Sequence, residues 1–349
     1  MDPERGTGGQ RPRVGLVLGA GGVLGAAWMT GALPALQERL PVPINDVDLM
    51  VGTSAGSVVA AALRCGVDID EMVAYQRGEA AGMLRDVGMG VVEDGPLPPI
   101  PRLRVGSLRL MRTGLLAPHR VHPWVSASAF LPHGRGRHVA LRSMVHALHS
   151  YAHGSTAPHD TEPPAPAAPH WVRAKTWIVA VDYDSGRRVI FGRDGAPLVR
   201  LADAVVASCS IPGWYEPVVI DGRRYVDGGV RSATSLGIMA RAGVDEVYVL
   251  APMASLETDR TRKPHERVER RLRWLFTLAL LREANALRSL GIKVTVITPG
   301  PEDLAVMGAN LMNPRRRMAV LETSLRTSAA ALARTETGGY LVGGEPKVA

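Results

Sequence analysis

Val14-Gly15-Leu16-Val17-Leu18-Gly19-Ala20-Gly21-Gly22-Val23-Leu24-Gly25 is the stretch that decides how this chain folds. Val14 to Leu18 is a short apolar run of the kind that forms a parallel strand buried on both faces. A glycine cluster follows, and Gly25 to Arg39 then has helical character. The order is strand, loop, helix. The same order returns at once: Val47 to Val51 reads as a strand, Gly52-Thr53-Ser54-Ala55-Gly56 as a turn, and Gly56 to Cys65 as a helix rich in alanine and valine. Two such units in succession predict an α/β fold.

Val14 to Gln37 carries no charge and follows Arg5, Arg11 and Arg13, so it imitates a signal peptide or a membrane span. The glycines at positions 15, 19, 21, 22, 25 and 31 argue against both, since each costs a helix roughly 1 kcal/mol relative to alanine.

The 349 residues are 46% hydrophobic, enough to bury a sizeable core, and are read as one large domain with decorations. A formal charge of +8 favours anionic surfaces, with acidic lipid headgroups and phosphate backbones both eligible. Lysine occurs only at positions 175, 263, 293 and 347, so the charge is almost all arginine. No nucleic-acid motif accompanies it, and nucleic acid is not an expected partner. Cys65 and Cys209 match no metal spacing and no disulfide framework; nothing demands an oxidising compartment, and a cytoplasmic location is expected.

Residues 1–12 read as a disordered tail, 13–335 as the folded domain and 336–349 as a second tail. From 85 to 136 prolines interrupt any periodicity, which predicts an irregular surface region or lid; 153–170 is a proline, alanine and threonine stretch read as a flexible loop. Hairpins are expected about Asp184-Ser185-Gly186 and Asp221-Gly222, a helix over Leu201 to Ser208, strands at Glu246 to Leu250 and Ile292 to Thr298, and a final helix over Pro314 to Arg334. Pro264 to Leu290 reads as a helix with Arg267, Arg270, Arg271 and Arg273 in its first half, a basic amphipathic pattern suited to peripheral contact with an anionic membrane or to packing on the sheet.

Ser54 stands between Gly52 and Gly56, after a strand and before a helix, where a sharp turn lifts a hydroxyl to the carboxyl end of a sheet. An activated serine needs a base. Nine of the ten histidines lie at or before His170, mostly in the irregular region and the loop, and His265 opens the arginine-rich helix, so none has a strand-end context. Asp227, in Val226-Asp227-Gly228-Gly229, does: an apolar strand ends there and two glycines let the backbone pass close to another group. A carboxylate of ordinary pKa near ~4 is a weak base for a hydroxyl, so the role requires a shielded setting. Asp182, Asp184 and Asp203 compete for it. The loop Gly19 to Gly25 offers free amides and a positive helix end to a developing oxyanion. A dinucleotide fingerprint would need glycine where Leu24 stands, and the P-loop lysine and hydroxyl are missing.

Taken in order, the glycine loop, Gly52 to Gly56, Ala207-Ser208-Cys209-Ser210-Ile211-Pro212-Gly213 and Asp227-Gly228-Gly229 resemble the patatin-like phospholipases. The resemblance spans Val14 to Cys65 and about Thr176 to the last strand. It implies a three-layer α/β/α fold with a mainly parallel central sheet and a serine and aspartate dyad without histidine. It also implies hydrolysis of phospholipid or neutral-lipid acyl esters through an acyl-enzyme, with no metal and no organic cofactor. By position, Ser54 becomes the nucleophile, Asp227 the base, and Gly21 with Gly22 the oxyanion donors, supported by Gly19, Gly25, Gly52, Gly56, Gly228 and Gly229. The expected partner is a lipid substrate. Acyl transfer to an alcohol, or a weakly catalytic membrane-binding scaffold, are the other expectations the same residues permit. One departure stands out: the family loop usually carries arginine or lysine where this chain has Leu24, so a cation is lost beside the anion site.

Overall fold

The computed structural model describes residues 11–79, 82–86, 102–154, 171–257 and 264–336. Its strands, in chain order, are β1 (Val14–Leu18), β2 (Leu49–Thr53), β3 (Arg102–Val105), β4 (Pro132–His133), β5 (Thr176–Asp182), β6 (Arg188–Phe191), β7 (Val218–Ile220), β8 (Arg223–Asp227), β9 (Glu246–Leu250) and β10 (Lys293–Ile297). Eight of them form one mixed sheet in the order β10-β9-β1-β2-β5-β8-β7, with β6 also pairing β5. The pairs from β10 across to β5 are parallel; those joining β5, β6, β7 and β8 are antiparallel. The expectation of a mainly parallel sheet between helical layers is borne out.

Two-residue alternation along the strands divides the core between the faces. Val14, Leu16 and Leu18 of β1 and Met50 of β2 pack in one cluster with the helices Gly22–Gln37, Ala55–Arg64 and Leu201–Cys209. Val17, Leu49 and Val51 face the other cluster, closed by Leu280, Ala284 and Leu287 of the helix Pro264–Arg288. That helix, read as either membrane-facing or sheet-packing, does pack on the sheet through these residues, while Val268, Leu272, Trp274 and Leu275 in its first half stay exposed.

The uncharged stretch Val14 to Gln37 is a strand followed by a 16-residue helix, as the glycine argument required. Among the described residues no helix is long and apolar enough to cross a membrane. The expected elements from Thr176 onward all form, with ends shifted by at most three residues. The region 85–136 needs correction where it is described: it holds helices at Leu108–Leu116 and Pro123–Ser128, a one-turn helix at Pro118–Arg120 and the β3–β4 pair. Pro118 and Pro123 occupy helix starts, where the missing N–H costs nothing, so prolines read as interruptions are start signals. Arg11 pairs with Asp48 at 2.8 Å, which brings order two residues earlier than expected. The remaining tail and loop expectations, at 1–10, 155–170 and 337–349, lie outside the described residues.

Candidate active site

The parallel strands β1 and β2 end side by side, with Leu18 in register with Gly52, so the two loops that follow them meet at one edge of the sheet. β2 runs through Thr53, and the helix begins at Ala55. Ser54 alone makes the turn, at φ 52° and ψ −123°. A non-glycine residue held there costs on the order of 1–3 kcal/mol and persists only where its surroundings enforce it. They do. The Ser54 N–H donates to Ser208 Oγ at 2.8 Å, and that hydroxyl donates onward to the Val179 carbonyl at 2.7 Å. The Ser54 carbonyl accepts from Ser57 Oγ at 2.6 Å and from the Ser57 N–H at 2.7 Å. The Ser54 hydroxyl does not cap its own helix, which leaves it available for chemistry.

The two glycines of the turn are steric requirements. A Cβ on Gly56 would lie 2.0 Å from the Leu18 carbonyl oxygen, and one on Gly52 would lie 2.6 Å from Ser57 Cα. Gly56 can therefore pass close to the first unit, and its N–H donates to the Gly19 carbonyl at 3.1 Å.

Asp227 is the last residue of β8, buried at 4% exposure, and its Oδ1 accepts the Gly229 N–H at 2.7 Å. Burial raises its carboxyl pKa from 3.8 to about 6, opposed by hydrogen bonds from the Ser54 side chain and the Gly229 amide. That moves a weak base toward the range useful for general-base work at neutral pH. Gly228 is needed because a Cβ there would meet the Val179 carbonyl oxygen at 2.5 Å.

In the glycine loop the amides divide by use. Gly19 N–H donates to Leu250 O at 2.9 Å, Ala20 N–H to Ala233 O at 2.7 Å, Leu24 N–H to Leu311 O at 2.9 Å and Gly25 N–H to Gly21 O at 2.8 Å. Among the described residues those of Gly21, Gly22 and Val23, at the start of the first helix, have no carbonyl partner. Gly22, at φ 60°, and Val23 line a cavity of about 190 Å³ whose wall also includes Ser54. Most of that wall is apolar, supplied by side chains such as Val58, Val59, Met72, Leu141, Met144 and Leu148. The strained serine, Gly22 and Val23 thus meet at an apolar cavity, and the shielded carboxylate of Asp227 acts on Ser54 from outside its wall.

The model of the family described as patatin-like phospholipase matches residues 16–240, more than half of the chain. The chain belongs to the patatin-like phospholipase family. The family is one of lipid acyl hydrolases. Among solved structures it is similar to VipD from Legionella pneumophila at 16% identity and TM-score 0.39, covering 90% of this chain and 67% of that one. It is also similar to the type III effector protein ExoU at 14% identity and TM-score 0.38, covering 94% and 54%. A third similarity is to the complex of full-length SpcU with full-length ExoU from the type III secretion system of Pseudomonas aeruginosa, at 17% identity and TM-score 0.36, covering 95% and 60%. This patatin-like chain therefore spans between about half and two thirds of the length of these proteins.

The competing aspartates of this patatin-like chain are engaged elsewhere. Asp182 accepts the Asp184 and Ser185 amides in a turn, Asp184 pairs with Arg224 and accepts from Ser107, and Asp203 pairs with Arg200 and Arg142. Cys209 lines the cavity with its Sγ 3.7 Å from Ser57 Oγ; burial, then the Asp227 charge, push its thiol pKa up, so it is a neutral wall residue. His138 also lines the cavity, stacked on Tyr215 at 3.7 Å between ring centroids, with Nε2 3.0 Å from the Cys209 carbonyl. It begins a helix, Val139–Ala152, and no periodicity in the sequence marks it. Tyr215 and Arg317 are further cavity residues without a sequence signal, and Val23 belongs to the glycine loop already singled out. Trp28 is a core side chain, 1% exposed. Leu24 is fully buried in the same core, so its side chain adds nothing to the cavity wall, and an arginine on this backbone would bury its charge.

Proposed function

We propose that this chain hydrolyses acyl esters of lipids through Ser54 and Asp227. The observation that carries the proposal is the strained turn at Ser54, which sets its hydroxyl at the wall of an apolar cavity and within the influence of a buried carboxylate of raised pKa. The acyl chain occupies the cavity, which sets the ester carbonyl over Ser54. Oγ attacks the carbonyl carbon and its proton passes to Asp227. The tetrahedral oxyanion is held by the amides of Gly21 and Gly22, with Val23 adjoining, at the positive end of the first helix. Collapse of the intermediate expels the alcohol, which takes the proton from Asp227. Water then attacks the acyl-enzyme, again giving its proton to Asp227, and the fatty acid leaves as Ser54 recovers its hydrogen. No step needs a metal or an organic cofactor.

The test is covalent. A fluorophosphonate probe should label wild-type protein on the peptide carrying Ser54, and Ser54→Ala should lose both the label and at least about 10⁴-fold in hydrolysis of fluorescent phospholipids. Hydrolysis surviving in that variant, with the label mapped to another serine, overturns the assignment.

A further inference from the structure

Leu24 removes the cation that the family loop usually carries, yet the cavity is not without positive charge. Arg317 lines the same wall as Ser54 and Gly22, and among the described residues no aspartate or glutamate joins it there. It reaches the cavity from the start of the helix Arg317–Glu336, outside residues 16–240, so the family match says nothing about it. The segment that carries it is fastened to the glycine loop: Leu24 N–H donates to Leu311 O at 2.9 Å, and a Cβ on Gly22 would lie 2.8 Å from Met312 Sδ. Arg317 is thus held on the oxyanion side of the cavity by the residues that shape that side.

Its guanidinium lies over the Tyr75 ring, 5.7 Å from the centroid, and among the described residues no carboxylate pairs with it. The nearest acid along its helix, Glu322, is taken by Arg77 at 2.7 Å. Stacking holds a guanidinium in orientation while leaving its N–H edge open for a bidentate oxyanion. Arg315 and Arg316 precede it, placing three arginines at the positive end of a helix, where cations are disfavoured unless an anion is bound. A half-buried arginine without an acid, in an otherwise apolar cavity, suits an amphiphile with an acyl chain on one side and an oxyanion on the other.

We infer that Arg317 forms the phosphate subsite of the cavity and selects phospholipids over uncharged acylglycerols. The inference rests on the hydrolase reading above and names its substrate class. Arg317 touches the headgroup phosphate and not the reacting carbonyl, so it sets KM and leaves the chemical step alone. It replaces, from the far end of the fold, a charge missing at position 24.

The experiment compares phosphatidylcholine with diacylglycerol of the same acyl chains, in mixed micelles, for wild type, Arg317→Met and Arg317→Lys. Methionine keeps an apolar stem against Tyr75. Arg317→Met should raise KM for the phospholipid about tenfold, the loss of one charged hydrogen-bonding contact, with kcat kept and diacylglycerol unaffected; lysine should restore part of it. Equal losses on both lipids, or none on the phospholipid, overturn the subsite. Binding separates this from the hydrolase reading. With Ser54→Ala as background, a short-chain phosphatidylcholine should bind about tenfold more weakly when Arg317→Met is added. That difference in a protein that hydrolyses neither lipid would keep the subsite and sink the hydrolase. Inorganic phosphate that displaces the short-chain lipid in an Arg317-dependent way makes this a site for free anions and overturns the headgroup assignment.

Discussion

The two strand, loop and helix units at the front of this chain share one plan and deliver opposite things. In the second, β2 turns into its helix through one residue, and the turn is tight enough to hold Ser54 at φ 52° and turn its side chain to the cavity. In the first, β1 reaches its helix through Gly19 to Gly21, and the looser path leaves backbone amides bare. One unit spends strain to present a hydroxyl, and the other spends glycine to present N–H groups. Register between Leu18 and Gly52 sets them side by side, and the bond from Gly56 N–H to Gly19 O ties the second loop to the first. In the proposed reaction the same supersecondary element serves as nucleophile mount or oxyanion cradle according to whether its turn is made by a side-chain-bearing residue or by glycine.

The largest break in this pairing is expected at Gly56→Ala, where the new methyl meets the Leu18 carbonyl of the other unit at 2.0 Å and backbone must move on both sides. A loss of about 4 kcal/mol or more in denaturant unfolding is expected, beyond the ordinary cost of overpacking. A variant within 1 kcal/mol, as roughly expected for an exposed helix glycine, would mean that the units are not in contact. Next comes Gly22→Ala, whose methyl meets Leu311 and Met312 beside the amide-bearing unit and leaves the serine-bearing unit untouched. Alanine at φ 60° distorts the loop, so kcat should fall about 10²-fold, the cost of one oxyanion donor, while the melting temperature stays within a few degrees. Unchanged kcat would remove that loop from the reaction.

The smallest effect concerns the charge lying between the units. Asp227 has a pKa raised by burial from 3.8 to about 6, so its stabilising contribution is whole below its ordinary pKa and is lost as pH rises through about 6. Asp227→Asn lacks that loss. It should match wild type in stability near pH 4 and exceed it by on the order of 2 kcal/mol near pH 8, while losing activity. Equal melting temperatures at both ends would show the carboxylate to be solvated.

The strands and both loops were legible because buried parallel strands advertise themselves as short apolar runs and glycine marks close approach. Ser54 and Asp227 were legible because each follows such a run. Leu24 was legible as a substitution, but its burial was not, since only the fold shows which way a helix side chain points. Pro118 and Pro123 misled because proline at a helix start and proline that breaks a helix look alike until the neighbouring turn is seen. His138, Tyr215 and Arg317 come from segments far apart in the chain, and long-range proximity leaves no local periodicity.

The helix Arg317–Glu336 lies against the helix Gly22–Gln37, with Ser324 Oγ donating to the Trp28 carbonyl at 2.7 Å and its Cβ 2.7 Å from where a Cβ on Gly31 would sit. β9, at residues 246–250, pairs with β1 along its whole length. What is inherited as a recognisable family segment, residues 16–240, is therefore smaller than what folds. Expressed alone, that segment would bare an edge of β1 and a flank of the helix Gly22–Gln37, inviting strand-to-strand association.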